Sequence, residues 1–217
     1  MNEPIDTRTL VATSLAKAPI VGVVRTSSMK EARRQAGLFM TNGIELIEVT
    51  FTVPDALSLV RELLSGRPDS GPPWIGMGTV TDMPRAEAAV EAGAEFLVSP
   101  NVSSVVTAVA RRAGLYLILG ALTCTEIVEA RDLGADIVKV YPLPPVGGAG
   151  YLATIRGPLG DIPMLAAGGF TVDEIPEYRA AGAAAFGIGA PLLGNDEEGT
   201  RQQIAKALRL ARVQGAS

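Results

Sequence analysis

The segment Ala135-Asp136-Ile137-Val138-Lys139-Val140-Tyr141-Pro142 is a short apolar run that contains one lysine and ends at a proline. Its length and its β-branched residues are typical of a buried strand in a parallel sheet. Burying an ammonium group removes its hydration, which costs free energy and favours the neutral amine. The segment therefore indicates a nucleophilic, Schiff-base lysine at Lys139. Two structural interpretations remain open on this segment alone: a strand-end lysine that reaches solvent, and a core lysine paired with Glu48.

Short apolar runs of the same kind recur on both sides of this segment and alternate with helical patterns. We expect strands at 19–25, 44–50, 74–78, 95–99, 115–119, 136–141, 163–166 and 184–188. Five of them follow a glycine at the position of a helix C-cap: Gly43, Gly93, Gly114, Gly134 and Gly182. Eight apolar strands joined by helices predict an α/β fold, a single (β/α)8 TIM barrel. A doubly wound open sheet is the second choice. Such a sheet would have edge strands, and no edge strand is evident in the sequence.

The predicted barrel occupies about residues 19–213 of a single domain, 1–217. A short helix at about 6–16 precedes it, and further helices are expected at 29–40, 54–64, 82–91 and about 200–213. Ser27 and Ser28 are placed to cap the first of these barrel helices. The Pro/Gly-rich stretch 67–73 is too short to link two domains.

The composition of the 217 residues excludes several classes of function. A net charge of −4 argues against a nucleic-acid surface, and no apolar run reaches membrane-spanning length. The N-terminus lacks the apolar core of a secretory signal, and the single Cys124 fits a reducing cytoplasm. The chain has no histidine, which rules out Ser–His and Cys–His pairs and His-ligated metal sites. Any chemistry must therefore come from Lys, Arg, Glu, Asp, Tyr, Thr or the backbone.

The polar residues fall into two groups according to whether they lie at the C-terminal or the N-terminal ends of the predicted strands. In such barrels the catalytic groups lie at the C-terminal strand ends, whereas polar groups at the other end serve stability. The first set comprises Arg25, Glu48, Thr50, Thr79, Lys139 and Tyr141, and the second comprises Glu45, Glu95 and Asp136. Glycines Gly168, Gly169 and Gly189 follow the last two strands, where backbone N–H groups often bind phosphate.

Five segments in this order resemble the class I aldolases that act on 2-keto-3-deoxy-6-phosphogluconate and its galactonate epimer, together with the 4-hydroxy-2-oxoglutarate aldolases. The segments are Ile47-Glu48-Val49-Thr50, Gly76-Met77-Gly78-Thr79-Val80, Val98-Ser99-Pro100, Lys139-Val140-Tyr141-Pro142 and Gly168-Gly169. The similarity extends from about residue 19 to 193.

The resemblance implies an aldolase that cleaves a 2-keto-3-deoxy sugar acid, expected as its 6-phosphate, to pyruvate and an aldehyde such as glyceraldehyde 3-phosphate. Lys139 would form the imine and Glu48 would transfer protons. Thr79 would hold the keto-acid carboxylate, and Pro100 would shape the pocket. Neither a metal nor a cofactor is implied. The partner is a small keto acid or sugar acid, and association as a homotrimer is implied by the family alone.

This chain also departs from the gluconate-type sequences. Thr52 stands where they carry an arginine, Ala167 replaces a threonine, and Pro191 replaces a serine expected at the phosphate. Arg25 resembles the phosphogalactonate branch and could supply the missing cation. A phosphate would then rest on the backbone of Gly168, Gly169, Gly189 and Ala190.

Two other functions stay open at this point: a catalytically silent barrel that binds a sugar phosphate or keto acid, and a phosphosugar epimerase or isomerase. The silent barrel is weakened by the presence of both Lys139 and Glu48. The isomerase would need a second acid/base group opposite Glu48.

Overall fold

The structure is a computed structural model that describes residues 6–67 and 71–212. Eight parallel strands form a closed barrel in chain order, and the last strand pairs with the first. The strands are β1 (Ile20–Val24), β2 (Leu46–Thr50), β3 (Trp74–Gly78), β4 (Phe96–Ser99), β5 (Tyr116–Ala121), β6 (Ile137–Val140), β7 (Met164–Ala167) and β8 (Ala185–Ile188). The predicted (β/α)8 barrel is confirmed, and the open sheet is wrong because β8 hydrogen-bonds β1.

Helices connect the strands and cover the outside of the barrel. They are α1 (Thr7–Lys17), α2 (Met29–Thr41), α3 (Ala56–Ser65), α4 (Met83–Glu91), α5 (Ser104–Arg112), α6 (Cys124–Leu133), α7 (Gly148–Arg156), α8 (Ile175–Ala180) and α9 (Glu197–Ala211). None of the helices in the described part of the chain is long and apolar enough to span a membrane.

Most element ends differ from the expected ones by one or two residues. Helix α9 differs more, since it begins at Glu197 and not at about residue 200. The cause is Asp196, whose side chain accepts a hydrogen bond from the Gly199 N–H at 2.7 Å and so caps the helix earlier. The expected end of this helix at residue 213 lies outside the described residues. The five glycines before the strands all have positive φ, as at Gly134 (94°), which ends α6.

The barrel interior has an apolar floor beneath a polar layer. Its floor includes Leu46 of β2 and Ile137 of β6, and α1 closes it from below with Val11 and Leu15. Because alternate residues of a strand point to the same side, the residues two positions further on also face the interior. In β2 and β6 these residues are Glu48 and Lys139, so the two charged side chains lie one layer above the floor.

The acidic residues at the N-terminal strand ends make structural contacts, as expected. Glu95 accepts hydrogen bonds from Arg67 and from the Ile75 N–H, and Asp136 accepts one from the Leu117 N–H at 2.7 Å. Each carboxylate thus ties one strand to its neighbour at the end opposite the polar layer.

Candidate active site

A buried lysine and a buried carboxylate meet inside the barrel. Lys139 Nζ from β6 lies 3.7 Å from Glu48 Oε2 from β2, and the two side chains are 10% and 2% exposed. The ammonium of Lys139 therefore does not extend into bulk solvent, which excludes the strand-end interpretation. The structure brings together the two residues to which the sequence assigns the chemistry.

The Glu48 carboxylate is only half paired. Its Oε1 atom is buried and has no hydrogen-bond partner among the described residues. Leaving a buried charged oxygen unpaired costs free energy, and even a fully bonded buried ion pair is often no more stabilising than apolar packing. Stability therefore explains this pair poorly. Oε1 is thus an acceptor that no group among the described residues uses.

Glycine creates the space that Glu48 occupies. A Cβ atom on Gly78 of β3 would collide with the Oε1, Cδ and Cγ atoms of Glu48. In the neighbouring pairs of strands, Glu48 lies beside Gly76 and Lys139 lies beside Gly120. Gly78 thus makes room for the Glu48 side chain, whereas a Cβ atom on Gly76 would meet the ring of Phe96 and one on Gly120 would meet the backbone of Pro100.

We expect Gly78→Ala to displace the Glu48 carboxylate and to reduce turnover at least about tenfold, since misplacing a reacting group by about 1 Å can cost on the order of 10²-fold. Turnover and the melting temperature would be measured together. Gly37→Ala is the matched control, because a Cβ at Gly37 in α2 meets nothing within 4 Å. It should leave turnover unchanged and stabilise the helix by about 0.5–1 kcal/mol. Full activity of the Gly78 variant would contradict a position-sensitive role for Glu48.

The side chain of Lys139 lines a cleft of about 290 Å³ at the C-terminal end of the barrel. The lining residues come from strands β1, β6, β7 and β8 and the turns that follow them: Val23, Arg25, Lys139, Tyr141, Ala167, Gly168, Gly169, Gly187, Gly189, Ala190 and Pro191. Arg25 and Lys139 are the two cationic residues in this lining. The cleft thus has the positive charge that an organic acid requires.

Arg25 and Thr79, both expected to bind substrate, contact each other. Arg25 Nη2 donates a hydrogen bond to Thr79 Oγ1 at 3.2 Å. Thr79 has a φ of 60°, a conformation that is costly for a β-branched residue. Such strain concentrates at functional sites, where the surrounding structure holds it in place. The bond fixes the guanidinium at the rim of the cleft.

Four of the residues that the sequence assigns to the site lie outside this lining: Glu48, Thr79, Thr52 and Pro100. Thr52 is exposed, and its Oγ1 is 2.7 Å from Thr50 Oγ1. The Pro100 carbonyl group packs against Gly120, where a Cβ atom would collide with it. Pro100 therefore restricts β5 next to Lys139 without contacting the open cleft.

The four expected phosphate-site residues all line the cleft. Gly168 and Gly169 have φ values of 133° and 93°, so their turn requires glycine. Ala190 begins a single 3₁₀ turn, Ala190–Leu192, with Pro191 in its first turn. Pro191 has no N–H group, so this turn offers one backbone donor fewer than another residue would give.

The sequence did not assign Tyr141 a role in binding. Its ring centroid lies 5.5 Å from Lys139 Nζ, within the range of a cation–π contact. The available signal was its spacing, because a residue two positions after Lys139 lies on the same side of the strand.

Metal ligands do not cluster in this structure. Among residues 6–67 and 71–212, no group of three or more His, Cys, Asp or Glu side chains could hold a metal ion.

A second groove, larger than the cleft at about 480 Å³, lies between α4 and α5 and is lined by Glu87, Val90, Glu91, Val109, Arg112 and Ala113. That groove contains no nucleophile.

These features define a (β/α)8 barrel with a lysine-centred cleft at its catalytic end. The family model for KDPG and KHG aldolase matches residues 11–207, and the chain belongs to this family. It is 30% identical over 175 residues to a probable 2-dehydro-3-deoxy-6-phosphogalactonate aldolase of Rhizobium meliloti (strain 1021), covering 80% of this chain and 81% of that protein.

Two solved structures show the same architecture. A crystal structure of a 4-hydroxy-2-oxoglutarate/2-dehydro-3-deoxyphosphogluconate aldolase is 28% identical with a TM-score of 0.81, covering 96% of this chain and 100% of its own. The KDPG aldolase from Legionella pneumophila, with pyruvate captured at low pH as a covalent carbinolamine, is 25% identical with a TM-score of 0.73. That match covers 91% of this chain and 94% of the other.

Proposed function

We propose that this protein is a class I aldolase that cleaves a 2-keto-3-deoxy sugar acid, expected as its 6-phosphate, to pyruvate and an aldehyde. The observation that carries the proposal is the buried Lys139–Glu48 pair, in which one carboxylate oxygen has no partner among the described residues. Family membership supports it, as does the carbinolamine with pyruvate in the Legionella relative.

The first step is attack by the neutral Lys139 amine on the C2 carbonyl carbon of the substrate. Glu48 takes the proton that the Lys139 ammonium loses before this attack. The C2–N bond then forms and a proton moves from the nitrogen to the carbonyl oxygen, which gives a carbinolamine. Glu48 then protonates the departing hydroxyl group, and loss of water leaves an iminium ion. Glu48 Oε2 lies 3.7 Å from Lys139 Nζ, and this short distance supports a role for Glu48 in both transfers.

The second step breaks the C3–C4 bond. Glu48 accepts the proton of the C4 hydroxyl, the aldehyde leaves, and the bonding electrons move onto the iminium to form an enamine. The same carboxyl group then returns the proton to C3, and water hydrolyses the new iminium to release pyruvate and Lys139. One carboxylate thus serves as base and then as acid, which is why the chemistry needs no histidine.

Arg25 and Thr79 are proposed to hold the keto-acid carboxylate. The Arg25 guanidinium is already oriented by its bond to Thr79 Oγ1, and a guanidinium matches a carboxylate with two parallel hydrogen bonds. Arg25 would then supply the charge that Thr52 lacks.

Borohydride trapping with pyruvate tests the proposal directly. Incubation with both reagents should add one reduced pyruvate to the intact protein, and peptide mapping should place it on Lys139. A known class I aldolase treated alongside controls for the reagents. An unmodified protein in that experiment would show that Lys139 is structural and would refute the class I aldolase function.

A second substrate, 4-hydroxy-2-oxoglutarate, is favoured by one observation. The turns after β7 and β8 contribute only glycine, alanine and proline to the cleft, so no side chain there holds a phosphate. Cleavage of this substrate releases glyoxylate, which carries no phosphate. Comparing kcat/KM for the two substrates decides between them.

The family resemblance also supports a homotrimer, and the single exposed thiol of Cys124 supports a reducing, cytoplasmic setting. We expect light scattering to give a mass about three times that of the 22.5 kDa chain. A monomeric mass at micromolar concentration would contradict the trimer and leave the chemistry of the cleft untouched.

A further inference from the structure

The cleft contains very few side-chain groups that can recognise a sugar-like tail. Of the eleven lining residues, nine are glycine, alanine, valine, proline or arginine, and one is the nucleophile Lys139. Tyr141 is the remaining residue and carries the one side-chain hydroxyl of this lining. A sugar-acid tail carries hydroxyl groups that must exchange their hydrogen bonds with water for hydrogen bonds with the protein.

Tyr141 is placed between the nucleophile and the solvent. It directly follows β6, and its ring lies 5.5 Å from Lys139 Nζ. The residue is 43% exposed, whereas the Lys139 side chain is 10% exposed. A substrate joined to Nζ at C2 has its tail directed from the buried amine toward the open end of the cleft. Tyr141 forms part of that path.

The phenol of Tyr141 is free to bind a ligand. Among the described residues, no hydrogen bond joins it to another protein group, whereas the phenol of Tyr151 donates to the Leu122 carbonyl oxygen at 2.6 Å. Tyr116 and Tyr178 are 5% and 1% exposed and lie outside the cleft. A large, exposed side chain with an unused hydroxyl beside the nucleophile is poorly explained by packing.

We propose that Tyr141 is a specificity-determining residue whose phenol hydrogen-bonds a hydroxyl group of the aldehyde fragment. The inference rests on the proposed aldolase function and extends it, because it assigns to this chain a preference for hydroxylated aldehydes. Lys139 holds the keto-acid half of the substrate covalently, and Tyr141 recognises a hydroxyl group of the aldehyde half.

The test is Tyr141→Phe, which removes one oxygen and keeps the ring. Aldol addition of pyruvate to D-glyceraldehyde and to propanal would be measured, since the two aldehydes differ in their hydroxyl groups. We expect kcat/KM to fall roughly 3- to 10-fold with glyceraldehyde, the effect of one hydrogen bond, and to stay within about twofold with propanal. Tyr178→Phe is the matched control and should alter neither value.

Equal losses with both aldehydes, or no loss with glyceraldehyde, would overturn the inference. Pyruvate trapping by borohydride is run on every variant and should be the same in the wild type and Tyr141→Phe, which shows that the variant is folded and forms the imine. Failure of the wild type to form the adduct would instead refute the proposed function itself, so the two failures are distinguishable.

Discussion

Lys139→Met is expected to reduce cleavage at least about 10³-fold, because the substitution removes the only group that can form the imine in this cleft. Methionine has a similar length and is apolar, so it fills the interior position beside Gly120. Turnover would be followed by the release of pyruvate. Cleavage at the wild-type rate would refute the role of Lys139.

Loss of activity must be separated from loss of fold. In the Lys139 variant, Glu48 loses its one ion-pair partner among the described residues, and removing one member of a buried pair typically costs about 3–5 kcal/mol. We therefore also expect a lower melting temperature at neutral pH. The double variant Lys139→Met with Glu48→Gln removes the unpaired charge and should recover most of that stability while remaining inactive.

Glu48→Gln has the second largest expected effect. Glutamine keeps the size of the side chain in the space beside Gly78, but it cannot accept and return a proton. We expect kcat to fall by about 10²–10⁴-fold, the usual contribution of a positioned acid/base group. The imine with pyruvate should still form on Lys139 during long incubation.

Deuterium exchange isolates this proton transfer. In D2O the enzyme should exchange the methyl protons of pyruvate, because the enamine is reprotonated at C3 without any aldehyde. We expect Glu48→Gln to lose this exchange while it still gives the borohydride adduct. Glu45→Gln, at the opposite end of the barrel near Lys17, is the matched control and should exchange normally. Wild-type exchange in the Glu48 variant would contradict its role as the acid/base group.

The closed barrel was predictable because the residues that begin and end its strands lie within or next to those strands in the sequence. Strand β3 was predicted with the correct ends, since Pro73 precedes it and its own Gly78 ends it. The glycine C-caps mark the strand starts for the same reason. Helix α7 was not predicted, because it starts at Gly148 in a stretch rich in glycine and proline. Burial of Leu152 and Ile155 against the barrel outweighs that poor helix propensity.

The site was predictable where the chemistry lies within strands. Side chains alternate between the barrel interior and the helix layer, and a lysine and a glutamate that both point inward from different strands come close to each other. The bond between Arg25 and Thr79 joins residues 54 positions apart and depends on the stagger of β1 and β3 and on the strained φ of Thr79. No local pattern encodes that bond. The expected contact of Thr52 with the cleft is absent, because Thr52 is exposed and its hydroxyl group lies beside that of Thr50.

The single thiol of this chain also has a practical use. Cys124 is exposed and begins α6, directly after β5, at the same end of the barrel as the cleft. A maleimide fluorophore would therefore attach at one known position on the catalytic face, without any engineered cysteine. Its emission would follow the binding and release of substrate in real time, and each turnover could be observed on a single labelled molecule.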